Sequence, residues 1–184
     1  MDIETGFRVE HTHVVEHQYD IECKEYYSYR KSYINIFPSL CLRYNLSDIH
    51  SVNFIYNRRI DRPNYRDLNP FVYIFDTYTY EQGNISLKPQ FTNNFNVSSI
   101  CRKNYSLHFF YSSITDAIIK SYKTIGDSKR IYVMPLNMFG NKSYGVRLQV
   151  GRLILFKDLN TSIYSAVVRN DYRWIENDIF KENN

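Results

Sequence analysis

Alanine is almost missing from these 184 residues, which hold only Ala117 and Ala166, and glycine occurs six times. Alanine is the best helix former, so its scarcity argues against a helical bundle. The three cysteines, Cys23, Cys41 and Cys101, are odd in number, widely spaced and without a C-x-x-C pair. That excludes zinc-ribbon and thioredoxin motifs and leaves free thiols in a reducing compartment as the expectation. No apolar run approaches the roughly 20 residues of a membrane helix. Residues 1–20 have no basic start followed by an apolar block, so no secretory signal is expected. Nucleophile elbows, Walker loops, dinucleotide fingerprints and H-E-x-x-H are absent too, so no reaction is legible. The six N-x-S/T triplets, at Asn45, Asn84, Asn96, Asn104, Asn141 and Asn160, are what an Asn- and Ser-rich chain without a leader produces by chance.

Aromatic residues are plentiful: 17% of the chain, from 18 Tyr, 12 Phe and one Trp. Such a composition excludes intrinsic disorder and favours strands. The formal charge of +4 is too mild to imply nucleic-acid binding unless it is clustered. Abundant Asn, Ile, Tyr and Lys beside little Ala and Gly is the composition that AT-rich genomes encode, among them those of large DNA viruses, some bacteria and some parasites.

Strict two-residue alternation from Phe7 to Cys23 predicts a long N-terminal strand with two unlike faces. Alternation resumes at Leu40–Leu46 and Val52–Tyr56. Arg58–Pro70 reads as a polar loop between prolines, Phe71–Glu81 as a strand turning at Gln82–Asn84, and Pro89–Asn104 as an Asn-rich connection. Tyr105–Tyr111 reads as a strand. Ile114, Ala117, Ile118, Tyr122 and Ile125, between a Ser cap and Gly126, predict one helix over about 113–125. The last third predicts an antiparallel meander, with strands at Arg130–Met134, Tyr144–Phe156 and Ser162–Val168, and Trp174 in a mixed tail. The fold class is therefore mainly β, an antiparallel sheet or sandwich with one packed helix. It forms a single domain over 1–184, in which 1–24 can be an arm on a neighbouring subunit.

Four groups of residues invite a function. His11, His13 and His17 share a strand face, with i and i+2 about 7 Å apart, which suits a metal only if a third ligand joins. Their structural alternative is pairing with neighbouring Glu, Tyr or backbone groups. Arg58, Arg59, Arg62 and Arg66, with Tyr65 among them, form the densest cationic run, but Asp61 and Asp67 dilute it and nucleic acid is not favoured. Cys101 lies beside Arg102 and Lys103 without a His partner. Tyr26, Tyr27, Tyr29, Tyr33, Tyr73, Tyr78 and Tyr80 alternate along strands. They cannot all enter one core, so some face outward as contact residues.

Asn141, Ser143, Tyr144, Gly145, Val146 and Leu148 are similar to an Asn-x-Ser-Tyr-Gly-Val segment of cypovirus polyhedrins. The chain as a whole resembles the matrix proteins of viral occlusion bodies in being Tyr-rich and β-dominated. That resemblance implies a self-assembling structural protein, intracellular in the host cytoplasm or nucleus, with other copies of itself as partners, possible virion contacts and no membrane. No enzyme activity and no cofactor are expected. Tyrosine and lysine titration would dissolve such an assembly at alkaline pH. The alternatives are a virus-encoded β-sandwich that binds a host protein, and a metal-dependent or nucleic-acid-processing enzyme using His11 and His13.

Overall fold

The computed structural model describes residues 1–20, 25–102, 104–124, 130–156, 159–176 and 179–182. Eight strands form one antiparallel sheet in nearly sequential order: β1 (Asp2–Asp20), β2 (Glu25–Ser47), β3 (His50–Asp61), β6 (Gln90–Cys101), β7 (Tyr105–Thr115), β10 (Gly140–Phe156), β11 (Leu159–Glu176) and β12 (Ile179–Glu182). A second sheet, ordered β4-β5-β9-β8, comprises β4 (Val72–Ile74), β5 (Thr79–Gln82), β8 (Ala117–Thr124) and β9 (Ile131–Met138). Its strands come from the two long connections, β3 to β6 and β7 to β10. One four-residue helix, α1 (Tyr65–Leu68), capped by the Asn64 side chain, precedes them.

The mainly antiparallel β architecture is the one expected, but several boundaries differ. Residues 113–124 are not helical. Ser113 and Ile114 pair with Lys142 and Asn141 as the end of β7, and Ala117–Thr124 pairs with β9 as β8. Between them Asp116 has φ 54, a left-handed conformation that breaks the chain direction and that Asp tolerates. The Ile and Tyr residues at helical spacing are equally good strand formers, and strand partners decide the matter. Pro89–Asn104 is mostly β6, because Phe91, Phe95 and Val97 alternate with polar residues that also have a polar face to occupy. Arg58–Asp61 belongs to β3, which shortens the loop. Phe71–Glu81 is a hairpin, since Asp76 accepts from the backbone of Tyr78 and Thr79 and turns β4 back as β5. Trp174 lies in β11, paired with Lys181 of β12. β1 pairs with β2 from Asp2 to Asp20.

The two faces of the large sheet differ sharply. One register row runs Ile3–Leu42–Phe54–Val97–Phe109–Val146–Val167 across seven strands. A row on the other face runs Gly6–Ser39–Asn57–Asn94–Ser112–Ser143–Asn170. The apolar face is not a core. Among the described residues the buried hydrophobics are Phe37, Leu87, Ala117, Val133 and Met138, whereas Phe7 is 70% and Val167 75% exposed. The accessible surface, 13543 Å², far exceeds the roughly 9,300 Å² of a compact monomer of this mass.

Candidate functional site

Next to the apolar row, toward the long connections, lies an aromatic one: Tyr56–Phe95–Tyr111–Tyr144, with Tyr56 stacked on Phe95 at 4.6 Å. On this face the apolar run reaches Ile34 in β2, Tyr56 and Phe95 in β3 and β6, Tyr111 and Tyr144 in β7 and β10, and Val167 in β11; the row beyond the aromatic one is polar, Arg58–Asn93–Ser113–Lys142–Asp171.

The polar face carries the second sheet at the long-connection end. Leu87 is 3% exposed, and a small apolar pocket separates Leu68, Ile85 and Leu87 from Val14 and Tyr33 of the wall. Arg62 reaches Glu10 at 2.5 Å and Thr12 at 3.2 Å in β1. Gln90 accepts from the backbone of Ile118, and Asn137 bonds both Lys88 and Asp116. Inside this cap, the half-exposed Arg66 and Lys120, one from each long connection, meet the buried carboxylate of Glu81 at 2.9 and 2.5 Å. The Lys120 hydrogen bond, followed by the charges of Lys120 and Arg66, holds the Glu81 carboxyl below its ordinary range against the opposing effect of burial. Arg66 also lies over Tyr73 and Phe75, at 5.7 and 5.5 Å, and Arg130 over Tyr80 at 5.9 Å. Ile74, Phe75, Tyr78 and Tyr122 of the cap are exposed.

The four arginines of the cationic run do not converge. Arg58 lies on the apolar face with its guanidinium 4.9 Å over Phe91, Arg59 points to the polar face, and Arg62 and Arg66 are ion-paired. His11, His13 and His17 do share the apolar face. His11 bonds Ser32 at 2.8 Å and His17 lies 6.3 Å from the Tyr26 ring. Among the described residues no three His, Cys, Asp or Glu side chains gather as a metal site. Tyr26 is exposed on β2, Tyr33 lines the pocket beneath the cap, and Tyr73, Tyr78 and Tyr80 belong to the cap. The side chains of Tyr27 and Tyr29, and Cys23 altogether, lie outside the described residues. Cys41 and Cys101 are free and half-buried. The Glu81 contact was not legible in the sequence, because its three members are 15 and 39 residues apart. The apolar face was legible as alternation, but its solvent was not.

A family model described as the outer membrane protein beta-barrel family matches residues 1–184. Among solved structures, the siderophore receptor PirA from Pseudomonas aeruginosa is similar over 90% of this chain and 32% of its own, at 17% identity and TM-score 0.60. A mutant of the ferric enterobactin receptor PfeA from the same organism, in complex with enterobactin, is similar over 77% of this chain and 24% of its own, at 18% identity and TM-score 0.58. The chain thus spans a quarter to a third of the length of these barrels. No curated protein matches it in sequence.

These findings overturn the polyhedrin resemblance, and with it the viral lattice, its alkaline dissolution and the host-cell location. The string from Asn141 to Leu148 is the alternating start of β10, a pattern that any amphipathic strand can share. The expectation of no membrane contact fails for a physical reason. A 20-residue apolar run is the requirement of a helix, whereas a barrel strand crosses in roughly 9–11 alternating residues. That no helix here is long and apolar enough to cross bears only on helices.

Proposed function

Because the chain belongs to the outer membrane protein β-barrel family, we propose that its eight-stranded sheet is the wall, or part of the wall, of a ligand-uptake barrel. In outer-membrane barrels short turns face the periplasm and long connections the exterior. The connections 62–89 and 116–139 leave the same end of the sheet, and Asp48–Ile49 turns at the other. The cap is accordingly assigned to the cell exterior and the polar face to the barrel interior.

The observation that carries the reading is the composition of the cap: Arg66 and Arg130 against Tyr73, Phe75 and Tyr80, with Tyr78 and Tyr122 exposed beside them. Guanidinium groups set among aromatic rings suit a ligand that is anionic and aromatic at once. The similar barrels are a siderophore receptor and a ferric enterobactin receptor, so a ferric aryl chelate is the ligand class proposed. Tyr73, Tyr78 and Tyr80 then serve as ligand contacts.

The test is binding of a ferric tris-catecholate to the purified full-length protein, measured by quenching of intrinsic fluorescence. Arg130→Ala and Tyr78→Ala should each weaken binding several-fold without changing the circular dichroism spectrum. Failure of the wild-type protein to bind, or wild-type affinity in both variants, would overturn the ligand assignment.

A further inference from the structure

On the polar face of the wall, Arg147 of β10 stands without a counter-charge. Directly opposite it are His108 of β7 and Ala166 of β11, and on the diagonals lie Ser106, Phe110, Tyr164 and Val168. None of these is acidic, and neither are Gly145 and Gln149, its neighbours on the same face of β10. Among the described residues its guanidinium makes no hydrogen bond or ion pair, and its Nε is buried without a partner. A half-buried cation in this state lacks the pairing that offsets desolvation, so an anion from elsewhere is the missing element.

The group is held by aromatic rings instead. Its Cζ lies 5.3 Å from the centre of the Phe110 ring and 6.0 Å from that of Tyr164. The rings occupy opposite diagonals, Phe110 beside Gly145 and Tyr164 beside Gln149. Gly145 admits the first ring, since a Cβ there would stand 3.0 Å from Cζ of Phe110. Rings on either side fix the guanidinium, and its edge of N–H donors matches the two oxygens of a carboxylate. Tyr164 is 62% exposed, which leaves ring surface for a planar group carried by that carboxylate. One unpaired cation calls for one negative charge.

We propose that Arg147 anchors a site for a small aryl monocarboxylate on the inner wall. The carboxylate lies edge-on to the guanidinium, and the ligand's ring packs on Tyr164. The site is separate from the cap and needs no iron. Of the function proposed above it uses the assignment of the polar face to the barrel interior.

The test is fluorine NMR of the full-length protein in neutral detergent micelles, with 4-fluorobenzoate as the probe and 4-fluorobenzamide as its uncharged counterpart. Line broadening through a titration gives each affinity. The wild-type protein should bind the acid at least tenfold more tightly than the amide. Arg147→Gln should abolish that preference, and Arg147→Lys, which keeps the charge and loses the planar fork, should reduce it several-fold. Tyr164→Ala should weaken both ligands, an equal concentration of acetate should not displace the probe, and Arg59→Gln, at another guanidinium of the polar face, should change nothing. Circular dichroism checks each fold, and Arg147→Lys decides the matter if Arg147→Gln does not fold. The proposal fails if the wild-type protein leaves the acid unbound or binds acid and amide alike. It fails equally if the folded Arg147 variants keep the preference, if Tyr164→Ala binds as the wild type does, if acetate competes, or if Arg59→Gln loses as much as Arg147→Gln.

The ferric chelate has no part in this measurement, so a negative result leaves the assignment of the cap standing. Whether the polar face is the interior is read independently from Phe110→Trp in vesicles of brominated lipid. Strong quenching there would overturn that placement, whereas an unquenched Phe110→Trp with no probe binding would overturn the site alone.

Discussion

Phe109 and Phe110 are consecutive, yet they serve opposite solvents. Phe109 belongs to the apolar row with Val97 and Val146, and Phe110 lies under the guanidinium of Arg147 on the polar face. The same parity governs Val146 and Gln149. Val146→Arg should cost about 2–4 kcal/mol of stability, the usual loss for a cation near mid-bilayer on the lipid face. Gln149→Arg, facing the interior, should stay within about 0.5 kcal/mol. Urea unfolding from lipid vesicles measures both. Gly140 poses a different residue-scale problem. Its positive φ and the Ile114 carbonyl beside it exclude a Cβ, so Gly140→Ala should destabilise the junction of cap and wall by about 1–3 kcal/mol in the same assay.

Among the elements, the cap is two separate insertions held as one small sheet, with β5 and β9 paired in parallel and Glu81 bridging the connections. The bridge gives the cap a pH dependence whose sign can be worked out. The carboxyl of Glu81 is held below 4.5, its ordinary value, so its contribution is complete above that value and is lost as pH falls through the lowered one. Both cations are about half exposed, and solvent screening limits the bridge to about 1 kcal/mol. Amide protection at β5 and β8, taken as the exchange rate relative to the intrinsic rate at each pH, should therefore fall as pH drops from 6 to 3, while β6 and β7 of the wall remain protected. Glu81→Gln should quicken exchange at β5 and β8 already at pH 6 and flatten the response. If cap and wall loosened together in the native protein, the bridge would not act locally on the cap.

For the molecule as a whole, the lipid-facing side is the claim with the widest consequences. In a Trp174→Phe background, Phe109→Trp should be strongly quenched by vesicle lipids carrying bromine on their acyl chains, and Phe110→Trp should be nearly unaffected. Similar quenching of both would mean that the sheet does not present one face to lipid. The exposed tyrosines and phenylalanines also find their explanation at this scale. A soluble domain must hide its apolar face against another part of itself, and this one has few residues with which to do so. Lipid supplies the cover that the chain lacks.

Alternation along Phe7–Val15, Leu40–Leu46, Tyr105–Tyr111 and Tyr144–Val150 is a property of covalent geometry, since successive side chains on a strand point opposite ways. The amino-acid sequence by itself thus determined that the protein is β-rich, that its strands have two unlike faces and that its aromatic residues exceed any core. Alternation is silent on what wets each face, because lipid and a packed core select the same residues. It is equally silent on partners distant in the chain. The strand at Ala117–Thr124, with its helix-like spacing, was decided by pairing with β9. The bridge of Arg66, Glu81 and Lys120 and the flanking of Arg147 by Phe110 and Tyr164 were decided by which strands became neighbours. Only the tertiary structure could align seven strands so that one row reads entirely apolar and another entirely small or polar. Register is a relation between strands, and no single stretch of sequence contains it.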